Sequence, residues 1–353
     1  MDFNRLKETL KNEPAYRLKQ AEELIFKQLI EDWSDAQGLP AGLRGKLKND
    51  VPLAITAEAI SSESKDAEKA VIVLADGIRI ETVLMRHKGG PPAGEPRHHG
   101  GRNTVCVSSQ AGCPMGCVFC ATGKGGFKRN LTVSEIILQL LFFARRLKIT
   151  NERVDNVVFM GMGEPFLNYD AVMEAVRLIN SKNGFNIGAR HISISTVGVV
   201  EGIEKLSEEL IQVNLAISLH APNDALRSRI VPANNKYPIG NIMWAVYEYV
   251  KKTNRRVMFE YIMIDGVNDS DDNARELASL IKKKLSLKLA FVNLITYNPT
   301  GDFKPSSRDR VREFKEIIDR ENVETTERHR FGREIKAACG QLANRSLSNN
   351  KQR

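Results

Sequence analysis

Residues 104–120 read Thr-Val-Cys-Val-Ser-Ser-Gln-Ala-Gly-Cys-Pro-Met-Gly-Cys-Val-Phe-Cys, a short β-branched run that passes into three cysteines. The run at 104–109 reads as a strand, which places the cysteines where that strand ends. Similar runs recur at 156–160, 191–196, 213–219, 256–264 and 289–296, separated by helix-like stretches. Six βα units of this kind demand right-handed crossovers and a parallel α/β sheet covered by helices, either open or curled into a full or partial barrel. In parallel α/β architectures chemistry gathers where the strands end. Those ends are polar here. The cysteines follow the first run, Gly161-Met162-Gly163-Glu164-Pro165 the second, Ser195-Thr196 the third, Ser218-Leu219-His220 the fourth and Tyr297-Asn298-Pro299 the sixth. All five ends are expected to face one cavity.

Upstream, residues 2 to about 68 read as a small separate helical region, with Leu18, Ala21, Leu24, Ile25 and Leu29 at helix spacing and a break at Gly38-Leu39-Pro40. The runs 71–74 and 78–84, joined through Asp76-Gly77, predict a hairpin. Residues 86–103 are rich in Gly, Pro and basic side chains and read as a mobile linker, where His87, His98 and His99 read as surface residues. The expected organisation is therefore 1–68 helical accessory domain, 69–103 hairpin and linker, 104–343 catalytic domain, and 344–353 a polar, frayed tail.

The chain has 353 residues, with 42% hydrophobic and 27% charged side chains, as in ordinary folded proteins. Its richest apolar run, Ile136 to Ala144, is interrupted by Gln139 and is too short to span a membrane. The N-terminus is charged from its second residue and has no apolar signal core, so the expected compartment is the cytoplasm. Lys and Arg number 52 against 43 Asp and Glu, and the net charge of +9 suits a polyanionic partner such as nucleic acid.

Of five cysteines, Cys113, Cys117 and Cys120 form a C-x3-C-x2-C cluster, which is a metal-site spacing and not a disulfide framework. Structural zinc normally takes four protein ligands, and no second Cys pair exists here. Three thiolates on a four-iron, four-sulfide cluster leave one iron open to substrate or cofactor. A zinc knuckle and plain buried cysteines are the competing readings.

With Phe119 before its last cysteine, this segment resembles the signature of the radical S-adenosylmethionine (SAM) superfamily. Longer strings resemble one branch of it, the RlmN and Cfr group of RNA methyltransferases: Val105-Cys106-Val107-Ser108-Ser109-Gln110, Cys120-Ala121-Thr122-Gly123, Gly161-Met162-Gly163-Glu164-Pro165, Ser218-Leu219-His220-Ala221-Pro222 and Ala337-Ala338-Cys339-Gly340-Gln341-Leu342. The resemblance implies an incomplete (β/α)6 barrel, a [4Fe-4S] cluster on Cys113, Cys117 and Cys120, and SAM held by Gly163, Glu164, Ser195, Ser218, Leu219, His220 and Asn298. Within the group, RlmN-like proteins methylate carbon 2 of adenine and Cfr-like ones carbon 8. Pro165 and Ala221-Pro222-Asn223-Asp224 resemble the RlmN branch.

Adenine carbon 2 lies between two ring nitrogens and offers no nucleophile, so a radical route supplies what side-chain acid–base chemistry lacks. The resemblance implies two SAM molecules. One methylates Cys339; the other yields the radical that removes hydrogen from the S-methyl group. The resulting carbon radical adds to the ring, and Cys106 assists deprotonation and releases product by forming a disulfide with Cys339. Glu81 aligns with a proton acceptor of the family. On the hairpin it points away from Ile78, Ile80 and Leu84, so a solvated carboxylate is the alternative.

Lys124, Lys128, Arg129, Arg328, His329, Arg330 and Arg333 are candidate phosphate contacts, while Lys282-Lys283-Lys284 reads as a solvated helix end. The implied partners are 23S ribosomal RNA, possible transfer RNA and a flavodoxin-type reductant, for a monomer with no membrane. A non-enzymatic metal-holding RNA-binding protein is the reading from another class.

Overall fold

The computed structural model describes residues 1–88, 101–301 and 303–343. Three helices open the chain: α1 (Phe3–Thr9), α2 (Tyr16–Phe26) and α3 (Ala41–Asp50). The Asp2 carboxylate caps α1 by accepting the Asn4 and Arg5 amides. Helix α2 buries Ala21, Leu24, Ile25 and Phe26, the stripe its spacing predicts.

The helical region stops at Asp50, short of the expected residue 68, because β1 (Ala57–Ser61) and β2 (Ala67–Val73) pair antiparallel beyond it. Strand β3 (Arg79–Lys88) completes the expected hairpin, with Gly77 at φ +80 in its turn. Strand β4 (Gly101–Cys106) then pairs antiparallel with β3, joining Arg86 to Asn103 and His87 to Arg102. Both ends of the stretch expected as a linker are therefore strand. Its interior, with His98 and His99, and the expected tail at 344–353 lie outside the described residues.

After β4 come β5 (Gln110–Gly112), α4 (Ala121–Lys124), β6 (Phe127–Asn130) and α5 (Val133–Ile149), with β5 and β6 forming a small sheet of their own. The alternation continues as β7 (Asn156–Phe159), α6 (Tyr169–Asn180), β8 (Ile192–Thr196), α7 (Val200–Glu208), β9 (Asn214–Ser218), α8 (Asp224–Ile230) and α9 (Ile239–Thr253). It closes with β10 (Val257–Met263), α10 (Asp271–Lys284), β11 (Ala290–Thr296), α11 (Arg308–Arg320) and β12 (Thr325–Glu327). The main sheet runs β1-β2-β3-β4-β7-β8-β9-β10-β11-β12, parallel from β4 onward. The six expected parallel strands are present, and β12 adds one more beside β11. With β1 and β12 at its two edges, the sheet stays open as a partial barrel.

The accessory helices are not separate from the barrel. Arg145, buried on α5, donates to the Leu53 carbonyl at 2.9 Å and to that of Ile30, and the Phe3 amide donates to Ser134 Oγ at 3.0 Å. Leu6, Ile25 and Trp33 belong to the same apolar core as Ile136 and Leu140. No helix among the described residues is long and apolar enough to cross a membrane.

Candidate active site

The loop after β5 carries the three cysteines, and its shape is set by close backbone contacts. Gly112, at φ +81, lies so near Gly126 that an added Cβ would sit 2.0 Å from the Gly126 oxygen. The next amide, of Cys113, donates to that same oxygen at 2.9 Å. The Cys120 amide donates to the Cys117 carbonyl at 3.1 Å, and Val118 donates to Ile230 at 3.1 Å, which docks the loop on the end of α8. Thr300 Oγ1 donates to the Phe119 carbonyl at 2.8 Å, and the Phe119 ring meets His220 edge-on at 5.0 Å.

All three thiols line one cavity. Burial, reinforced by the neighbouring cysteine charges, pushes Cys113 up to about 12 and Cys117 higher still. Thiolates in such a setting at neutral pH therefore ask for a bound cation. Among the described residues, no three Cys, His, Asp or Glu side chains are gathered as ligands of a single ion. A four-iron cluster asks something different, that each of three thiolates reach its own iron from a common volume, and the cavity provides this.

The other strand ends converge on the same cavity. Gly161 and Gly163 press against Ser108 and Gln110: an added Cβ would come within 2.7 Å of Ser108 Oγ at the first and 2.5 Å of Gln110 Cβ at the second, where φ is +102. Glu164 is buried, which pushes its carboxyl up to about 7. Its oxygens already accept the Phe166 amide at 3.0 Å and the Val197 amide at 2.8 Å. This carboxylate thus ties together the turns after β7 and β8, a structural task beside the SAM-holding one that the resemblance implies.

Ser195 Oγ and Ser218 Oγ lie 3.1 Å apart across β8 and β9. His220, at φ +61, accepts the Ile262 amide on Nδ1 at 3.2 Å, which leaves Nε2 to carry the ring proton. Burial, with Arg227 adding to it, holds this imidazole down at about 3, so it is neutral. Asn298 donates through Nδ2 to the Cys339 carbonyl at 3.2 Å, while its buried Oδ1 has no partner among the described residues. An acceptor left open in a cavity wall is the mark of a ligand-facing group. Leu219 differs from its neighbours: its side chain is fully buried in the core, and its carbonyl accepts Arg227 Nε at 3.0 Å.

Cys339 reaches the cavity on a loop laid over the cysteine cluster. The Ala121 amide donates to the Gly340 carbonyl at 2.8 Å, and Thr122 Oγ1 donates to Leu342 at 2.6 Å. Cys106, the last residue of β4, lines the same cavity, and both cysteines are free thiols. Burial and the Cys339 charge push Cys106 up to about 12, against the opposing pull of Arg328.

Several residues acquire roles that sequence did not suggest. Arg227 is fully buried and donates to the carbonyls of Leu219 at 3.0 Å, Tyr237 at 3.0 Å, Ser218 at 3.3 Å and Val197, and to Asn234 Oδ1 at 2.9 Å. One guanidinium thereby gathers the ends of β8 and β9 behind Ser218 and His220. Arg328, expected among phosphate contacts, lines the cavity with His329 and Arg330, with its Nη1 3.3 Å from Glu260 Oε1 and Nη2 donating to Met160 Sδ at 3.0 Å. Glu260 is buried and accepts Asn293 Nδ2 at 3.0 Å. Arg129 is likewise engaged, by Asp76 and Glu135, whereas Lys128 is exposed.

Glu81 is not solvated. It lies on the β3 face away from Ile80 and Leu84, as its position predicts, but that face is covered and only 1% of the residue is exposed. Its carboxylate lies 3.4 Å from Lys69 Nζ and accepts the Ala343 amide at 3.3 Å. It does not line the cavity that holds the five cysteines.

Comparison with known proteins agrees with this geometry. Residues 107–278 match the model of the radical SAM superfamily. The chain is 42% identical over 349 residues to the "Probable dual-specificity RNA methyltransferase RlmN" of Dictyoglomus thermophilum, covering 97% of this chain and 94% of the relative. It is 44% identical over 331 residues to the "Ribosomal RNA large subunit methyltransferase N" of Nitrosopumilus maritimus, covering 93% and 92%. A crystal structure of a radical SAM methyltransferase from Sphaerobacter thermophilus superposes with a TM-score of 0.88 at 42% identity, covering 98% of each chain. With a three-cysteine loop, a partial barrel and two further cysteines facing one cavity, the chain belongs to the RlmN family of radical SAM methyltransferases.

Proposed function

We propose that this protein methylates carbon 2 of a specific adenine in 23S ribosomal RNA, and of the adenine 3′ of the anticodon in transfer RNA, carrying the methyl group on Cys339 Sγ. The observation that carries this reading is that Cys339 and Cys106 share one cavity with Cys113, Cys117 and Cys120. The Cys339 loop is bonded directly to the residues following Cys120. A [4Fe-4S] cluster and SAM, when bound, supply the methyl group and the one-electron chemistry that an electron-poor ring carbon requires.

The chain's own residues hold and orient. Cys113, Cys117 and Cys120 present the thiolates for the cluster. The Gly163-Glu164 turn, the Ser195 and Ser218 hydroxyls, His220 and Asn298 Oδ1 form the wall that takes SAM, with His220 supplying a neutral N–H donor. Leu219 contributes by fixing that wall from behind through its carbonyl. Cys106 is protonated at rest in its buried setting, and it acts as an acid–base group and disulfide partner for Cys339 once charge develops beside it. A flavodoxin-type reductant, a monomeric state and a cytoplasmic location complete the reading.

The test is nucleoside mass spectrometry on unmodified ribosomal and transfer RNA incubated anaerobically with cluster-loaded protein, a reductant and methyl-deuterated SAM. Labelled 2-methyladenosine is the expected product. Labelled 8-methyladenosine would move the assignment to the Cfr-like reaction, and absence of both would overturn the proposal.

A further inference from the structure

The segment that carries Cys339 lies across the outer face of the hairpin, where Phe331, Ile335, Ala337 and Leu342 pack against Ala67, Val83 and Cys106. Two charged residues are buried beneath it. Lys69 on β2 and Glu81 on β3 are 3% and 1% exposed, and they are diagonal neighbours, since Lys69 pairs with Val83 and Glu81 with Val71. Their charged atoms lie 3.4 Å apart.

Each member of this pair also reaches the backbone of the Cys339 segment, at opposite ends. Lys69 Nζ donates to the Lys336 carbonyl at 3.4 Å, on the near side of Cys339. Glu81 Oε1 accepts the Ala343 amide at 3.3 Å, on the far side. Lys336 is itself left-handed, at φ +51, and follows a turn in which Lys336 donates to Arg333 at 3.1 Å and Ala337 donates to Gly332 at 2.9 Å. A lysine in this conformation needs surrounding contacts to hold it. The ammonium of Lys69 is one of them.

Buried ion pairs can often be replaced by apolar pairs without loss of stability, so what sets Lys69 and Glu81 apart is that each also bonds the backbone of the Cys339 segment. We propose that the Lys69–Glu81 pair is a clasp that fixes the Cys339 loop at both ends and so places Cys339 Sγ in the cavity. Both are positioning residues, and Glu81 acts through the loop instead of taking a proton from substrate. The proposal rests on Cys339 being the methyl carrier. Placement matters at that atom, because it must serve a methyl donor, a hydrogen abstraction and a ring carbon in turn, and an error of about 1 Å costs on the order of a hundredfold in rate.

The test uses full-length, cluster-loaded protein as wild type, Lys69→Met, Lys69→Arg, Glu81→Gln and the double variant Lys69→Met/Glu81→Gln, which removes both charges of the pair. Hydrogen exchange is read on peptides spanning 331–343, with a peptide over β10 as the fold control. Methyl transferred per SAM cleaved is read in parallel. The expected result is loop exchange faster by about tenfold or more in the Met, Gln and double variants, with β10 unchanged and Lys69→Arg near wild type. Coupling of methyl transfer to SAM cleavage falls in the same variants, and the double variant loses no more than either single one.

Wild-type loop protection in Lys69→Met would overturn the clasp. So would equal loss of β10 protection in every variant, which would make the pair a general element of the fold. Loss of transfer in Glu81→Gln alone, with an intact loop, would return Glu81 to proton transfer. A wild type that methylates no RNA brings down the functional reading, and loop exchange then still decides the clasp.

Discussion

The amide of Ala121 donates to the carbonyl of Gly340 at 2.8 Å, so the residue after the third cluster cysteine holds the residue after Cys339. The three-cysteine loop and the Cys339 loop are thereby one unit, although they lie far apart in the sequence. Replacing the Cys339 side chain leaves this backbone bond in place.

Cys339→Ala is therefore expected to keep its iron content and its SAM cleavage while methyl transfer to RNA falls below detection, a loss of about a hundredfold or more. Iron analysis, 5′-deoxyadenosine release and RNA mass spectrometry check the three quantities separately. Loss of iron in this variant would mean that Cys339 serves the cluster and does not carry the methyl group.

Asn298→Ala removes the open Oδ1 acceptor and the bond from Nδ2 to the Cys339 carbonyl together. SAM affinity, measured by equilibrium dialysis on cluster-loaded protein, should weaken by roughly tenfold, the equivalent of about one hydrogen bond of 1–2 kcal/mol. Unchanged affinity would place SAM elsewhere in the cavity.

Arg227→Met deletes a fully buried guanidinium and strands the acceptors it serves at the ends of β8 and β9. A destabilisation of about 3–5 kcal/mol is expected, read as a lower urea midpoint. An unfolding free energy within about 1 kcal/mol of wild type would show that these carbonyls find other donors.

His220 titrates at about 3 in the folded chain against an ordinary value of 6.5. The unfolded chain therefore binds the proton more tightly. The contribution of this neutral imidazole is fully present above pH 6.5 and is lost as pH falls towards 3, with a slope of at most about 1.4 kcal/mol per pH unit. Urea midpoints measured between pH 4 and about 7 should fall less steeply in His220→Asn than in wild type. Equal slopes would show that His220 is not the group responsible.

The C-x3-C-x2-C spacing and the polar strand ends were legible because both are local: the ligands share one loop, and each site residue sits next to the strand that places it. The same locality explains the misplaced boundary after Asp50. Residues 57–70 contain Ala, Glu and Lys in helix-forming proportion, but the pairing of Ala57 with Ile72 and of Lys69 with Val83 decides for strand. Alternation along β3 correctly turns Glu81 away from Ile80, yet it says nothing about what covers that face, and the cover comes from residues 331–342. Arg227, Glu260 and Arg328 stayed hidden for a similar reason. Charge in a sequence suggests solvent or phosphate, and only the fold shows carbonyls or a partner carboxylate around a buried guanidinium.

The bonds that seat Cys339 are among the longest in sequence terms that the chain makes: Thr122 to Leu342, Lys69 to Lys336 and Glu81 to Ala343. Contacts of such separation carry the greatest loop-closure cost and favour late formation. The cysteine loop shares this burden, since Val118 bonds to Ile230 and Thr300 to Phe119, so neither loop is complete until distant parts of the chain have met. The site is thus expected to assemble with the barrel and not before it, and the reactivity of Cys339 followed during refolding should become native no earlier than the barrel itself.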